Sequence, residues 1–444
     1  MRSAVCLVAG FLLAVGMAGA QPIQSTTDTP LTLQQLEEMA LANNPTIGQA
    51  QAGVDAARGR AREAGAWPNP TIGYTGEEIA PGEIIQRGAH GVFVDQTIPL
   101  GRKLRWNRAV FEREIAEAES VQEMQRLRIT SSVRTFFYDV LTMERRVEVL
   151  DRLAQLAAEA VTITRQLFNV GAADQPDVLE ANIEARRAQL ERTAAKNELN
   201  AMRLQLSALV GDQRVASRPL VGSLEQAMPE LERDATVQAV LDRSPEIRAA
   251  RAAVERASAV VTRAGREKYP DLFLRGGVQY NRERLEVNTA VVGWQGLAEV
   301  GVSVPLFNRN QGLVGAARAD ETRAEGERRR LELDLQSRAA VVFEQYLTAL
   351  RASEVYGGEI VPQAEQAYRL YLARYREMAA AYPQVLIAQR TLFQMTAEYF
   401  ENLKQAWRAA LRLQGFLVGD GLEAPGRVGD ELSVGIELRT GAER

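Results

Sequence analysis

At 444 residues the chain is long enough for two or three domains, yet 25% charged residues and a formal net charge of −4 leave no basic excess for a nucleic-acid partner. Cys6 and His90 are the only cysteine and histidine, which excludes a disulfide framework and a transition-metal centre of thiolate or imidazole ligands. Arginine and glutamate are plentiful but interleaved, the pattern of solvated helix faces.

Arg2, the apolar stretch Ala4 to Met17 and the small trio Ala18-Gly19-Ala20 read as an export signal, residues 1–20, cleaved after Ala20. The stretch falls short of the ~20 apolar residues that span a bilayer as a helix. Cys6 lies inside it, so the mature chain offers no thiol for a disulfide, a metal or a lipid. No later apolar run reaches the length of a membrane helix.

Thr32 and Gln35 form the pattern of a capping box opening a helix. Asn44-Pro45 restarts one: a good N-cap residue, then proline where its missing N–H costs nothing. That helix is alanine-rich and ends near Gly65, before the break Trp67-Pro68-Asn69-Pro70. The period then changes. TIGYTGEEI (71–79) and GVFVDQTI (91–98) are short, rich in glycine and in β-branched or aromatic residues, and close to the ~9–11 residues of a tilted membrane strand. Between Gly101 and Gly171 lie 69 residues without glycine or proline, which as one helix would reach about 100 Å. Leu127, Phe137, Leu141, Leu150, Leu153, Leu156 and Leu167 mark a narrow apolar stripe suited to coiled-coil packing. A further glycine- and proline-free stretch covers 177–210, and Gly211, Pro219, Gly222 and Pro229 then mark an irregular segment.

The order now recurs. Residues 44–70 align without a gap on 244–270, with nine of 27 positions identical. Ser244-Pro245 restarts a helix, Gly265 ends it, and Tyr269-Pro270 breaks the chain. LFLRGGVQY (272–280) and LAEVGVSV (297–304) follow, with Leu272, Leu274, Val278 and Tyr280 alternating against Phe273, Arg275 and Gln279. A soluble half-buried hairpin gives the same alternation, and Trp67, Trp106 and Trp294 at the strand ends fit either a membrane interface or ordinary packing. Helical stretches at 327–356 and 384–414 close the second copy. The offset rises from 200 to 206 between Pro70 and Pro99, so the first hairpin region carries the length difference, as surface loops do. The division is therefore residues 21–220 and 221–420 as two repeats of one body, with 421–444 as a polar tail. The loops at about 80–90, which holds His90, and 281–294 are expected outside the cell. Four strands cannot close a membrane barrel alone, and open edges in lipid are prohibitively costly, so a membrane reading requires several chains to share one barrel. Two, three or four chains would satisfy the physics.

Three motifs carry a resemblance. FNVGAADQPDVLEA (168–181) joins two long helices, and DQTIPLGRKLRWNRA (95–109) and SVPLFNRNQGLVGAARA (303–319) turn strands into helices. With the repeated order of elements, over roughly residues 30–420, the chain resembles the TolC-type outer-membrane efflux channels. PLFNRNQG is similar to the heavy-metal subgroup that partners cobalt–zinc–cadmium-type resistance pumps. The resemblance implies a mainly α fold with a small membrane β part: long α-hairpins forming a periplasmic α-barrel, and four strands per chain contributing to a shared twelve-stranded β-barrel in a homotrimer. It implies an outer-membrane duct bathed by lipid and completed by a periplasmic adaptor protein and an inner-membrane proton-driven pump. It also places Phe168, Gly171, Asp174, Asp177, Val178 and Leu179 at a periplasmic tip that docks the adaptor, with Tyr375, Met378 and Gln384 at the second tip. There Met378 replaces the glycine and Gln384 the aspartate. Asp177 and Glu180, three residues apart on one helix face, are candidates for an acidic entrance ring, against a local role in capping. Pro99, Pro305, Asn308, Asn310 and Gly312 belong to the strand-to-helix junctions. No catalytic set and no cofactor site is legible, so an enzyme is not expected. A drug or small-molecule duct, a periplasmic coiled-coil adaptor and a structural coiled coil are the competing readings.

Overall fold

The computed structural model describes residues 30–79, 88–224, 228–284 and 290–428. The expected leader, the tail beyond 428 and the loop positions 80–87 and 285–289 lie outside them.

Leu31–Thr32 (β1) leads into Leu33–Asn43 (α1), opened by the Thr32/Gln35 capping box in both directions. Asn44 ends α1 and starts Pro45–Ala64 (α2): its Oδ1 accepts from the Thr46 N–H at 3.0 Å. Strands Thr71–Glu77 (β2) and Ala89–Pro99 (β3) form the first hairpin. Lys103–Asn169 (α3) is then one helix of 67 residues, about 100 Å long, as the absence of helix breakers requires. Gln175–Val210 (α4) returns along it, and Gly211, at φ +76°, ends it in the left-handed conformation that glycine tolerates. A short 3₁₀ turn leads to Leu220–Val221 (β4), which pairs parallel with β1.

The second copy repeats this order with Arg233–Arg243 (α5), Pro245–Arg266 (α6), strands Asp271–Arg284 (β5) and Val291–Ser303 (β6), and Gln311–Val355 (α7). A π-helical turn at Tyr356–Ile360 interrupts this arm, which continues as Val361–Arg376 (α8) and returns as Tyr382–Gln414 (α9). The second-copy strands are longer than their apolar alternation suggests, because polar Asn281 to Arg284 and the glycine-bearing 291–296 continue the ladder. The second loop is correspondingly shorter than 281–294. Ala89 and His90 likewise sit in β3, not in a loop.

One antiparallel sheet takes the order β2-β3-β5-β6, so the repeats are joined at its centre, and β2 and β6 are left as edges. The main core runs along α3, α4, α8 and α9 and includes Ile129, Phe137, Leu150, Leu167, Tyr368 and Leu392. A second cluster around Leu335, Phe343, Tyr346 and Leu413 binds α7 to α9. The start of the predicted tail is not loose: Gly421 accepts from Asn44 Nδ2 at 3.4 Å and donates to Ser132 Oγ at 3.0 Å, pinning the end of the second copy to the first.

Candidate functional site

The sheet presents two unlike faces. Register places Ile72, Val94, Gly276 and Ala298 in one row, Tyr74, Val92, Val278 and Gly296 in the next, and Leu274 and Val300 on the same side. Between Leu272 and Tyr280 no paired residue on this side is Asp, Glu, Lys or Arg; Gln96 beside Leu274 and His90 beside Tyr280 are its polar members, while Ile72 is 75% and Val300 71% exposed. A wide apolar patch left open to solvent marks an interaction surface, and on a sheet wall that surface suits lipid. From Leu272 to Tyr280 the face spans eight residue steps, about 27 Å along the strand, comparable to the ~25 Å apolar band of a membrane barrel. Tyr280 and Trp294 pair near one end, their rings 5.5 Å apart, and exposed Trp67 and Phe307 flank the other. This is the aromatic placement of a lipid interface.

The opposite face is polar. Thr71, Asp95, Arg275 and Glu299 share a row, with Arg275 3.2 Å from Asp95 and 3.7 Å from Glu299. Two rows away Gln279 donates to Gln295 at 3.2 Å. Phe93 and Phe273, the large rings on this side, reach over Gly73 and Gly301, where a β-carbon would collide with them.

At the junctions, Pro99 closes β3, while Pro305 stands two residues beyond β6. Both following helices start from a left-handed residue, Arg102 at φ +60° and Asn310 at φ +64°. Asn308 Oδ1 accepts from the Asn310 N–H, and Asn310 Nδ2 donates to the Ala264 carbonyl at 2.9 Å, which ties α7 to the end of α6. Gly312 is exposed in the first turn of α7 with no neighbour that a β-carbon would meet. Gly101 is tighter: at φ +69° its α-carbon faces Tyr269, 2.6 Å from where a β-carbon would stand. Sequence reasoning missed Lys103, which is buried and bonded to Asp271 at 2.9 Å and to Glu267 at 3.4 Å, linking the two repeats at the foot of the sheet. A lysine among the many charges of α3 carries no signal of that role.

The two tips are the same turn built from different residues. In the first, the Gly171 N–H donates to the Phe168 carbonyl at 3.0 Å and the Ala172 N–H to Leu167 at 2.8 Å. In the second, Met378 donates to Tyr375 at 3.0 Å and Ala379 to Arg374 at 2.7 Å. Each is a Schellman motif whose left-handed residue is Gly171 at φ +78° or Met378 at φ +56°. Met378 therefore adopts the glycine conformation that its side chain penalises, and it is 65% exposed. Asp174 is the N-cap of α4, and the Asp177 carboxylate accepts from the Asp174 N–H at 3.3 Å in a capping box. At the second tip Ala381 stands at the N-cap and can offer no such bond.

Phe168, Leu179, Glu180 and Gln384 are exposed, whereas Val178 is buried and Tyr375 only 3% exposed, so these two support the turns from beneath. Tyr375 and Tyr382 lie 5.6 Å apart between the hairpins, with Tyr368 about two helical turns before Tyr375 in α8. Burial pushes all three phenols above their ordinary range; Asp177 adds to this at Tyr375, and Glu184 and Glu180 at Tyr382. Asp177 and Glu180 thus direct part of their field at the second hairpin.

Two segments, residues 36–212 and 236–418, match the family model of the outer membrane efflux protein. The chain belongs to the outer membrane efflux protein family. It is 27% identical over 392 residues to the cobalt-zinc-cadmium resistance protein CzcC of Cupriavidus metallidurans, covering 87% of this chain and 90% of that one. It is 26% identical over 350 residues to the nickel-cobalt-cadmium resistance protein NccC of Alcaligenes xylosoxydans xylosoxydans, covering 77% and 75%. A crystal structure of a membrane protein from Pseudomonas aeruginosa shares the fold with a TM-score of 0.75 at 18% identity, over 87% of this chain and 92% of that one.

Membership gives the elements their places. The efflux protein lies in the outer membrane through its sheet and reaches into the periplasm through its helices, which removes the adaptor and structural-coil readings. No helix among the described residues is long and apolar enough to cross a membrane, and no described cluster of three His, Cys, Asp or Glu could hold a metal.

Proposed function

We propose that the chain is the exit duct of a tripartite heavy-metal efflux system, passively conducting cations from the pump across periplasm and outer membrane. Its likeness to two metal-resistance proteins along most of its length supports the cargo. The observation that carries the duct is the sheet with one apolar and one polar face and, among the described residues, two edges without a strand partner, which in lipid must be closed by further copies. Three copies would make a twelve-stranded barrel with the polar face inward. A cargo duct needs no tight metal site, since conduction requires contacts weak enough to release the ion. Its partners would be an adaptor docked on the tips, through Phe168, Leu179 and Met378 over the turns set by Gly171 and Met378, and an inner-membrane proton-driven pump. Removing the gene should lower resistance to cobalt, zinc or cadmium salts and leave tolerance of organic toxicants unchanged, with resistance restored by the chain in trans. The opposite pattern, restored drug tolerance with unchanged metal resistance, would move the assignment to a small-molecule duct.

A further inference from the structure

Between its foot and its rim, the polar face of the sheet carries its charge at one level. Between Asp271 at its foot and Glu77 at its rim, the paired rows read Thr97, Phe273 and Gly301; then Thr71, Asp95, Arg275 and Glu299; then Gly73, Phe93, Gly277 and Leu297; then Thr75, Gly91, Gln279 and Gln295. Only the second of these rows is charged. Arg275 is held from both sides, 3.2 Å from Asp95 and 3.7 Å from Glu299, and its guanidinium lies 4.6 Å from the centre of the Phe93 ring. The row therefore has two carboxylates against one guanidinium, and the excess negative charge falls on Glu299, whose side chain is half exposed.

A purely structural reading would count one close cross-strand ion pair, Asp95 with Arg275 at 3.2 Å. That reading accounts for Asp95 and Arg275. It gives no reason for a third charge on the neighbouring strand, at a longer distance and open to water.

We infer that the Asp95–Arg275–Glu299 row is a charge-selective band inside the pore, where Glu299 favours cations and Arg275 limits how strongly. The inference rests on the shared-barrel reading, which places this face toward the lumen and repeats the row in every copy. Rings of like side chains bias ion passage by their field, and Arg275 offsets half of the carboxylate charge here. In a wide, water-filled lumen that field reaches about 8 Å at physiological salt and about 3 Å at 1 M, so the band should act strongly only in dilute electrolyte.

The test uses the full chain, purified and inserted in planar bilayers under a KCl gradient. Glu299→Gln should lower the cation-over-anion permeability ratio severalfold, Glu299→Lys should reverse the preference, and Arg275→Gln should raise it, all three shifts shrinking as salt is raised. Reversal potentials equal to wild type in variants that insert and conduct normally would overturn the inference. Where a variant fails to insert, single cysteines at Glu299 and Val300 serve, with Cys6 replaced, because the sequence has no other cysteine. In the inserted protein a water-soluble thiol reagent should modify the first and lower the conductance, and should leave the second untouched. Equal labelling of both would defeat the shared barrel. Labelling at Glu299→Cys with unchanged conductance and selectivity would defeat the band alone.

Discussion

Gly171 and Met378 hold one backbone conformation at unequal cost. A β-carbon in the left-handed region costs roughly 1–2 kcal/mol, and Met378 bears it while Gly171 does not. Met378→Gly should therefore stabilise the second tip by about 1 kcal/mol, seen as slower amide exchange through the last turn of α8. Gly171→Val should cost the first tip about as much, and if that turn docks the adaptor, metal resistance should fall while the chain still inserts. Unchanged resistance at normal expression would detach the tip from docking. The tyrosines beneath give a pH dependence of definite sign. Folding raises the phenol affinity of Tyr368 and Tyr382 for their protons, so their contribution is complete below the ordinary tyrosine value of about 10 and declines as pH rises from there through the folded values. Ultraviolet titration should show these two ionising after the exposed tyrosines, together with alkaline loosening of the hairpins. Ionisation in step with exposed phenols would contradict their burial.

At the scale of elements, α3 and α9 are clamped by one ion pair. Arg408 Nε and Nη2 meet the Asp139 carboxylate at 2.8 Å each, with Asp139 buried in α3 and Arg408 half exposed. Burial pushes the Asp139 carboxyl up and Arg408 opposes it, so the pair is mutually dependent. Arg408→Met should destabilise by about 3 kcal/mol, because the abandoned carboxylate stays buried, and Asp139→Leu added to it should recover most of the loss. Denaturant midpoints of the single and double variants measure both. The helices themselves were legible because their signals are local: missing glycine and proline between 101 and 171, Asn44-Pro45, Ser244-Pro245 and the Thr32/Gln35 box. Strand ends were less so, since Asn281 to Arg284 join the ladder through backbone bonds that ignore polarity. Pairings between distant segments left no trace in the chain. Gly421 against Asn44, Lys103 against Asp271 and the row Asp95–Arg275–Glu299 each depend on how two repeats meet. The second tip was legible, with Met378 in the glycine's place, but its left-handed conformation was not, because methionine carries no local preference for what glycine tolerates.

For the whole molecule, the proposed duct would carry two acidic levels of unequal promise. Asp177 accepts from the Asp174 N–H and turns part of its field toward Tyr375, so Asp177→Asn with Glu180→Gln should shift the reversal potential less than Glu299→Gln does. A larger shift from the tip variant would make the entrance, not the barrel, the site of ion choice. Beyond conduction, the free edges β2 and β6 bear on inheritance. In the proposed trimer each edge finds its hydrogen-bond partner only on another copy, so a chain with a damaged edge does not merely fail; it occupies a place in a pore. Random mixing of equal amounts of sound and damaged chains would leave about one pore in eight free of the damaged one. An allele that distorts β2 or β6, co-expressed with the intact gene, should therefore be dominant for metal sensitivity, whereas an allele that makes no chain should be recessive.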